Sequence, residues 1–132
     1  MTWQEPKTDW SSEDCYNFED LNRVESNTKI VAGLVKLFDR IPDLETNTNR
    51  DMSSIEFAES LNRIENNIKI LGERRILPGW ISPKMDWEYN QRFSYVDANR
   101  LEKNLKLLYE YYKGNSELFK YCGAYTCGEE VI

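Results

Sequence analysis

A chain of 132 residues, 40% hydrophobic and 30% charged, fits one folded domain of ordinary composition. Its net charge of -6 argues against a nucleic-acid partner, because phosphate binding needs a basic face. It contains no histidine, which removes the commonest general base and neutral metal ligand, and no apolar run long enough to span a membrane.

Met1 to Pro6 has neither a basic region nor an apolar core, so no signal peptide is expected. Residues 1–16 are polar, with Trp3, Trp10 and Tyr16 interspersed. The stretch Trp3 to Trp10 reads W-x-x-P-K-x-D-W, and the same pattern returns at Trp80 to Trp87. A proline-containing segment of this kind cannot be helix interior and should be extended.

A first helix is expected over 18–39, with Asn17 as N-cap and Asp20 in a capping-box position, ended by Pro42. A polar loop over 43–52 follows. A second helix is expected over 54–75, opened by Ser53 with Glu56 and stopped by Pro78-Gly79. A third is expected over 95–113, with Ser94 as N-cap and Asp97 at N3, ended by Gly114-Asn115. The tail, 115–132, holds Cys122 and Cys127 among glycines and β-favouring residues, and should be irregular or short strand.

Each helix carries the pattern N-R-[VIL]-E-x-N-x-K-[IL]. The copies are Asn22-Arg23-Val24-Glu25-Ser26-Asn27, Asn62-Arg63-Ile64-Glu65-Asn66-Asn67 and Asn99-Arg100-Leu101-Glu102-Lys103-Asn104, spaced 40 and 37 residues apart. Such self-similarity marks a repeated supersecondary unit. Apolar residues at 61, 64, 68 and 71, and at the matching places of the other copies, make one helical stripe. Glu and Lys four apart in each copy contribute only about 0.2–0.5 kcal/mol per pair. The two asparagines are more telling, since Asn is a poor helix former. Their recurrence points to amides that bond something specific, such as the backbone of the incoming loop; inheritance by duplication is the competing reading.

Both second tryptophans, Trp10 and Trp87, stand twelve residues before the first motif Asn. They are expected in equivalent, largely buried places over the start of the helix that follows each, with Lys7 and Lys84 in solvent. In the middle copy, counting at the same distance puts Asp43 and Arg50 where the tryptophans would be. The fold class is therefore mainly α: three amphipathic helices in a small bundle with extended tryptophan-containing lead-ins. It is one domain over 1–132, built from motifs at about 10–40, 50–76 and 87–114.

Chemistry is sparse. Three cysteines, without a further ligand cluster, make neither a disulfide framework nor a zinc site. The oxygens at 43–51 lack the Gly and the Glu of a calcium loop. No P-loop, nucleophile elbow or dinucleotide fingerprint occurs. No catalytic residue, metal or cofactor is expected, and the chain reads as non-enzymatic.

The tryptophan lead-in, the D-L-N-R-[IV]-E-x-N helix opening and the Tyr-Cys-Gly…Cys-Gly-Glu end together resemble prophage tail, baseplate and fibre proteins of Gram-positive bacteria. That resemblance implies a structural or adaptor role in a virion, made in the bacterial cytoplasm, with other tail proteins or further copies of itself as partners. The alternative is a carbohydrate-binding module reading cell-surface glycans through exposed Trp3, Trp10, Trp80 and Trp87. Solvent exposure of those four indoles separates the two.

Overall fold

The computed structural model describes residues 2–14, 18–48, 58–73, 77–88, 91 and 93–125. Three helices form: α1 (Phe18–Val35), α2 (Ala58–Gly72) and α3 (Tyr95–Tyr125). The repeated stripe builds the core. Val24, Val31, Ile64, Ile68, Leu71, Leu101, Leu105 and Leu108 are each at most 1% exposed. Thr28 takes a stripe position in α1 and satisfies its hydroxyl on the Val24 carbonyl one turn back, at 2.8 Å. Ile64 stands at the centre of this stripe. Ile64→Ala should cost about 2–5 kcal/mol in denaturant unfolding, and a loss below about 0.5 kcal/mol would mean the stripe is not the core.

The helix boundaries differ from expectation in instructive places. α1 gives way after Val35 to a tightened turn in which Leu37 and Phe38 donate to carbonyls three residues back. At the start of α3, Ser94 and Asp97 pair and supply the carboxylate half of a capping box: the Ser94 N–H and hydroxyl both donate to Asp97, at 2.9 and 3.1 Å. The expected caps at Asn17 and at Ser53 with Glu56 lie outside the described residues. α3 does not end at Lys113 but continues as helix to Tyr125. Tyr112 and Ser116, one turn apart across Gly114, are both buried, and Asn115 bonds the Tyr111 carbonyl four residues back instead of capping the helix. Packing outweighs the roughly 1 kcal/mol that an interior Gly costs. The 115–125 part of the expected irregular tail is thus helical; residues 126–132 lie outside the described ones.

The connections set the topology. Residues 3–10 run extended in the groove between α1 and α3, and residues 80–87 in the groove between α3 and α2. Each descends from beside the second motif Asn of its own following helix to the first motif Asn of the neighbouring helix. After Trp10 and Trp87 the chain makes one and the same turn. Asp14 N–H donates to the Ser11 carbonyl while its carboxylate accepts from the Ser11 N–H, and Gln91 repeats both bonds on Glu88. The next helix then starts from that level. The first and last units are each an extended segment down and a helix up, which with the cross-helix bonds sets the three helices parallel, and long connections are what parallel neighbours require. Leu77-Pro78-Gly79-Trp80 supplies the turn into the last lead-in: Trp80 N–H donates to the Leu77 carbonyl at 3.1 Å, and Gly79 takes the φ of +88° that a side chain would strain.

Candidate functional site

The polar residues of the repeat converge on the three grooves. Begin with the arginines, which project sideways from each stripe. Arg23 of α1 donates from Nε and Nη2 to Glu102 of α3, at 2.8 and 2.7 Å. Arg100 of α3 does the same to Glu65 of α2, at 2.9 and 2.5 Å. Arg63 of α2 reaches Glu25 of α1 through Nη2, at 2.7 Å. Together they form a closed ring, α1 to α3 to α2 to α1, and each unit gives one guanidinium and receives one. Asp20 and Asp97 brace Arg23 and Arg100 from one turn before, at 3.0 and 2.8 Å. Ser60 takes the matching place before Arg63.

Glu25, Glu65 and Glu102 are each 1% exposed. Spacing along one helix paired each Glu with the Lys four residues on; the structure turns these carboxylates inward, toward the neighbouring helix. The helical net carried that signal, since Glu65 follows Leu61 by four and precedes Ile68 by three, which places it on the apolar stripe. What spacing along one helix could not show is that the partner arginine comes from another unit.

The same carboxylates hold the lead-ins. Glu102 accepts from the Trp10 indole N–H at 2.7 Å and from the Lys7 N–H at 3.3 Å. Glu65 accepts from the Trp87 indole at 2.7 Å and the Lys84 N–H at 3.0 Å. The asparagines do what their recurrence suggested and clasp incoming backbone. Asn99 accepts from the Trp10 N–H and donates to the Trp10 carbonyl, at 2.8 and 3.0 Å. Asn62 clasps Trp87 in the same way, at 2.8 and 3.1 Å. The second asparagines clasp the upper end: Asn27 on Gln4 and Asn104 on Ile81, through both N–H and carbonyl, and Asn67 on the Glu45 carbonyl. A primary amide offers a donor and an acceptor side by side, which matches one residue's N–H and C=O. No helix-forming residue does both at that length.

Trp10 and Trp87 are equivalent and buried, at 7% and 5% exposure. Each is bonded to the neighbouring helix, Trp10 to α3 and Trp87 to α2, while Trp87 also packs on Phe93 just before the helix that follows it. The descending path of the lead-in is the reason. Lys7 and Lys84 are not simply solvated. Each ammonium sits 5.1 Å over the adjoining indole and is tied to Asp9 or Asp86 at 3.1 Å, an arrangement repeated to a tenth of an ångström. The lysines hold the Asp9 and Asp86 carboxyls below the usual range, by hydrogen bond and by charge. Arg23 is held above its ordinary value by Glu102, against the opposing effect of burial. For Arg100, burial acts downward and is outweighed by Glu65 and Asp97.

The first tryptophans are half-buried and differ in what they meet. Trp3 stacks flat on Tyr109, centroids 3.9 Å apart and 6° between planes. Trp80 fills the space over Gly72, where a Cβ would come within 2.5 Å of its ring. Gly72 and Tyr109 are each ten residues after their first motif Asn, so a missing side chain in one unit and an aromatic in the other receive the same indole differently. The middle unit corrects the register counted from sequence. Asn67 clasps Glu45 across 22 residues, where the other two clasps span 23. Leu44, packed against the core, therefore stands in for Trp3 and Trp80, while Asp43 is exposed and pairs with Lys36. Arg50 lies outside the described residues.

The ring is uneven. Arg23 and Arg100 are bidentate, while Arg63 uses one nitrogen, and its Nε has no partner among the described residues. Arg100→Ala should therefore cost more than Arg63→Ala, by about 1.5–3 kcal/mol, the worth of one further hydrogen bond to a charged group. Equal losses in parallel urea titrations would remove this ranking.

Among the described residues no group of three or more His, Cys, Asp or Glu could hold a metal ion, and no described helix is long and apolar enough to cross a membrane. Cys122 lies in the α3 extension; Cys127 lies outside the described residues. No protein family, curated protein or solved structure matches the chain.

Proposed function

We propose that this protein is a non-enzymatic structural or assembly component of a phage-like tail, a scaffold or adaptor acting through protein–protein contacts with other tail proteins or with further copies of itself. The observation that supports this reading is where the repeated polar residues are spent. Arg, Glu and Asn of the motif serve to lock one unit onto the next, which is the work of a rigid scaffold. The resemblance of the motif and its lead-in to prophage tail, baseplate and fibre proteins supplies the setting. The glycan-binding alternative needs open indole faces. Trp10 and Trp87 have theirs covered and their N–H groups bonded to Glu102 and Glu65, which favours the scaffold. The test is to purify particles from a producing strain and from a strain lacking this chain. The reading expects the chain in the particles and defective tails without it. Intact tails without the chain, together with its sedimentation on isolated cell walls, would favour the glycan reading instead.

A further inference from the structure

We propose that the α1/α3 groove is a recognition site for an extended W-x-x-P-K-x-D-W segment, and that a second copy of this chain can fill it with its own residues 3–10, so that copies associate by exchanging lead-ins. The inference stands on the groove chemistry and does not depend on the tail assignment.

The main observation is that the same eight-residue pattern is held by the same bonds on two different helices. On α3, Asn99 clasps Trp10 and Glu102 takes the Trp10 indole and the Lys7 N–H. On α2, Asn62 clasps Trp87 and Glu65 takes the Trp87 indole and the Lys84 N–H. The upper clasp accepts Gln4 in one case and Ile81 in the other, two side chains with nothing in common, because it reads only backbone. Recognition is thus written in the motif pair and does not need covalent connection. Between the lead-in and α3 the bonds join residues 89 to 95 apart in sequence. Within one chain the tether gives the lead-in a millimolar effective concentration, which favours the closed form. Weakening that closed form in both chains, at complementary places, leaves one good groove and one good lead-in to meet in trans, the ordinary route to exchange dimers.

The experiment uses two full-length variants. Trp10→Ala keeps the groove and spoils the lead-in; Asn99→Ala keeps the lead-in and spoils the groove. Each is measured alone and in equimolar mixture, at a few hundred micromolar, by light scattering after size exclusion. The expected result is a species of twice the 15.7 kDa chain mass in the mixture and monomers in the separate samples. Where a variant is unfolded alone, recovery of helical circular dichroism on mixing reads the same exchange. A mixture that stays monomeric, fails to recover helicity, or dimerises no more than Trp10→Ala alone overturns the proposal.

Discussion

Replacing Glu102 with Gln should destabilise the fold by about 3–5 kcal/mol, although the two side chains have nearly the same shape. The carboxylate is 1% exposed and faces donors only: Nε and Nη2 of Arg23, the Trp10 indole and the Lys7 N–H. Gln offers one oxygen where two are used, and its NH2 would point at another N–H. It also leaves the Arg23 charge with Asp20 as its remaining counter-ion in a part-buried groove. Desolvating an ion pair offsets much of its attraction, so the pair need not add net stability over an apolar contact; losing one partner is nevertheless costly. Urea unfolding at neutral pH measures the loss, and a change under about 1 kcal/mol would mean that water reaches Glu102 and substitutes for its partners.

Trp87→Ala should cost about 3–5 kcal/mol, comparable with the largest core truncations. The indole is 5% exposed, packs at 5.8 Å from Phe93 and carries the buried bond to Glu65. Truncation removes apolar burial, opens a cavity and strips Glu65 of one donor, while Lys84 loses the ring beneath it. Trp87→Phe, which keeps part of the burial and loses the N–H with one ring of the indole, should fall between Ala and wild type. If Trp87→Ala unfolds at the wild-type urea midpoint, the lead-in does not contribute to the fold.

Sequence reasoning carried the helices and the stripe because both rest on a local period that any one copy displays. It also reached the asparagine clasps, since a poor helix former kept three times must bond outside its helix. It missed the Arg–Glu ring for a physical reason. Arg23 and Glu102 are 79 residues apart, and nothing within either helix says which neighbour the guanidinium meets. The buried glutamates were within reach, because Glu65 falls between Leu61 and Ile68 on the net, although spacing along one helix offered only Lys69 as a partner. The direction of the lead-ins was not legible either. Distance to the following Asn is equal for Trp10 and Trp87, yet both indoles settle on the preceding partner in the ring, because the strand must descend before its helix can rise. Counting at fixed spacing also failed for the middle unit, whose lead-in is one residue shorter up to its clasp and uses Leu44 for the indole.

The unevenness of the ring has a use in folding. Two junctions carry a tryptophan, a bidentate arginine and a bracing aspartate; the third, among the described residues, carries Arg63 on Glu25 through one nitrogen and the Asn67 clasp on Glu45. Three alike units could otherwise close in more than one order. Matching each Arg to one Glu, with unequal junctions, favours a single arrangement, the role for which buried ionic groups are best attested.

The most direct test of the claim that the repeat exists to join one unit to the next is a double-mutant cycle on Arg100 and Glu65. The cycle compares Arg100→Ala, Glu65→Ala and the double variant with wild type by urea unfolding. The bidentate, buried pair predicts a coupling of about 2–3 kcal/mol, at the upper end of what contacting residues show. A coupling below about 0.5 kcal/mol, with the single losses simply adding, would contradict it and leave the repeated Arg and Glu as an inheritance without a structural role.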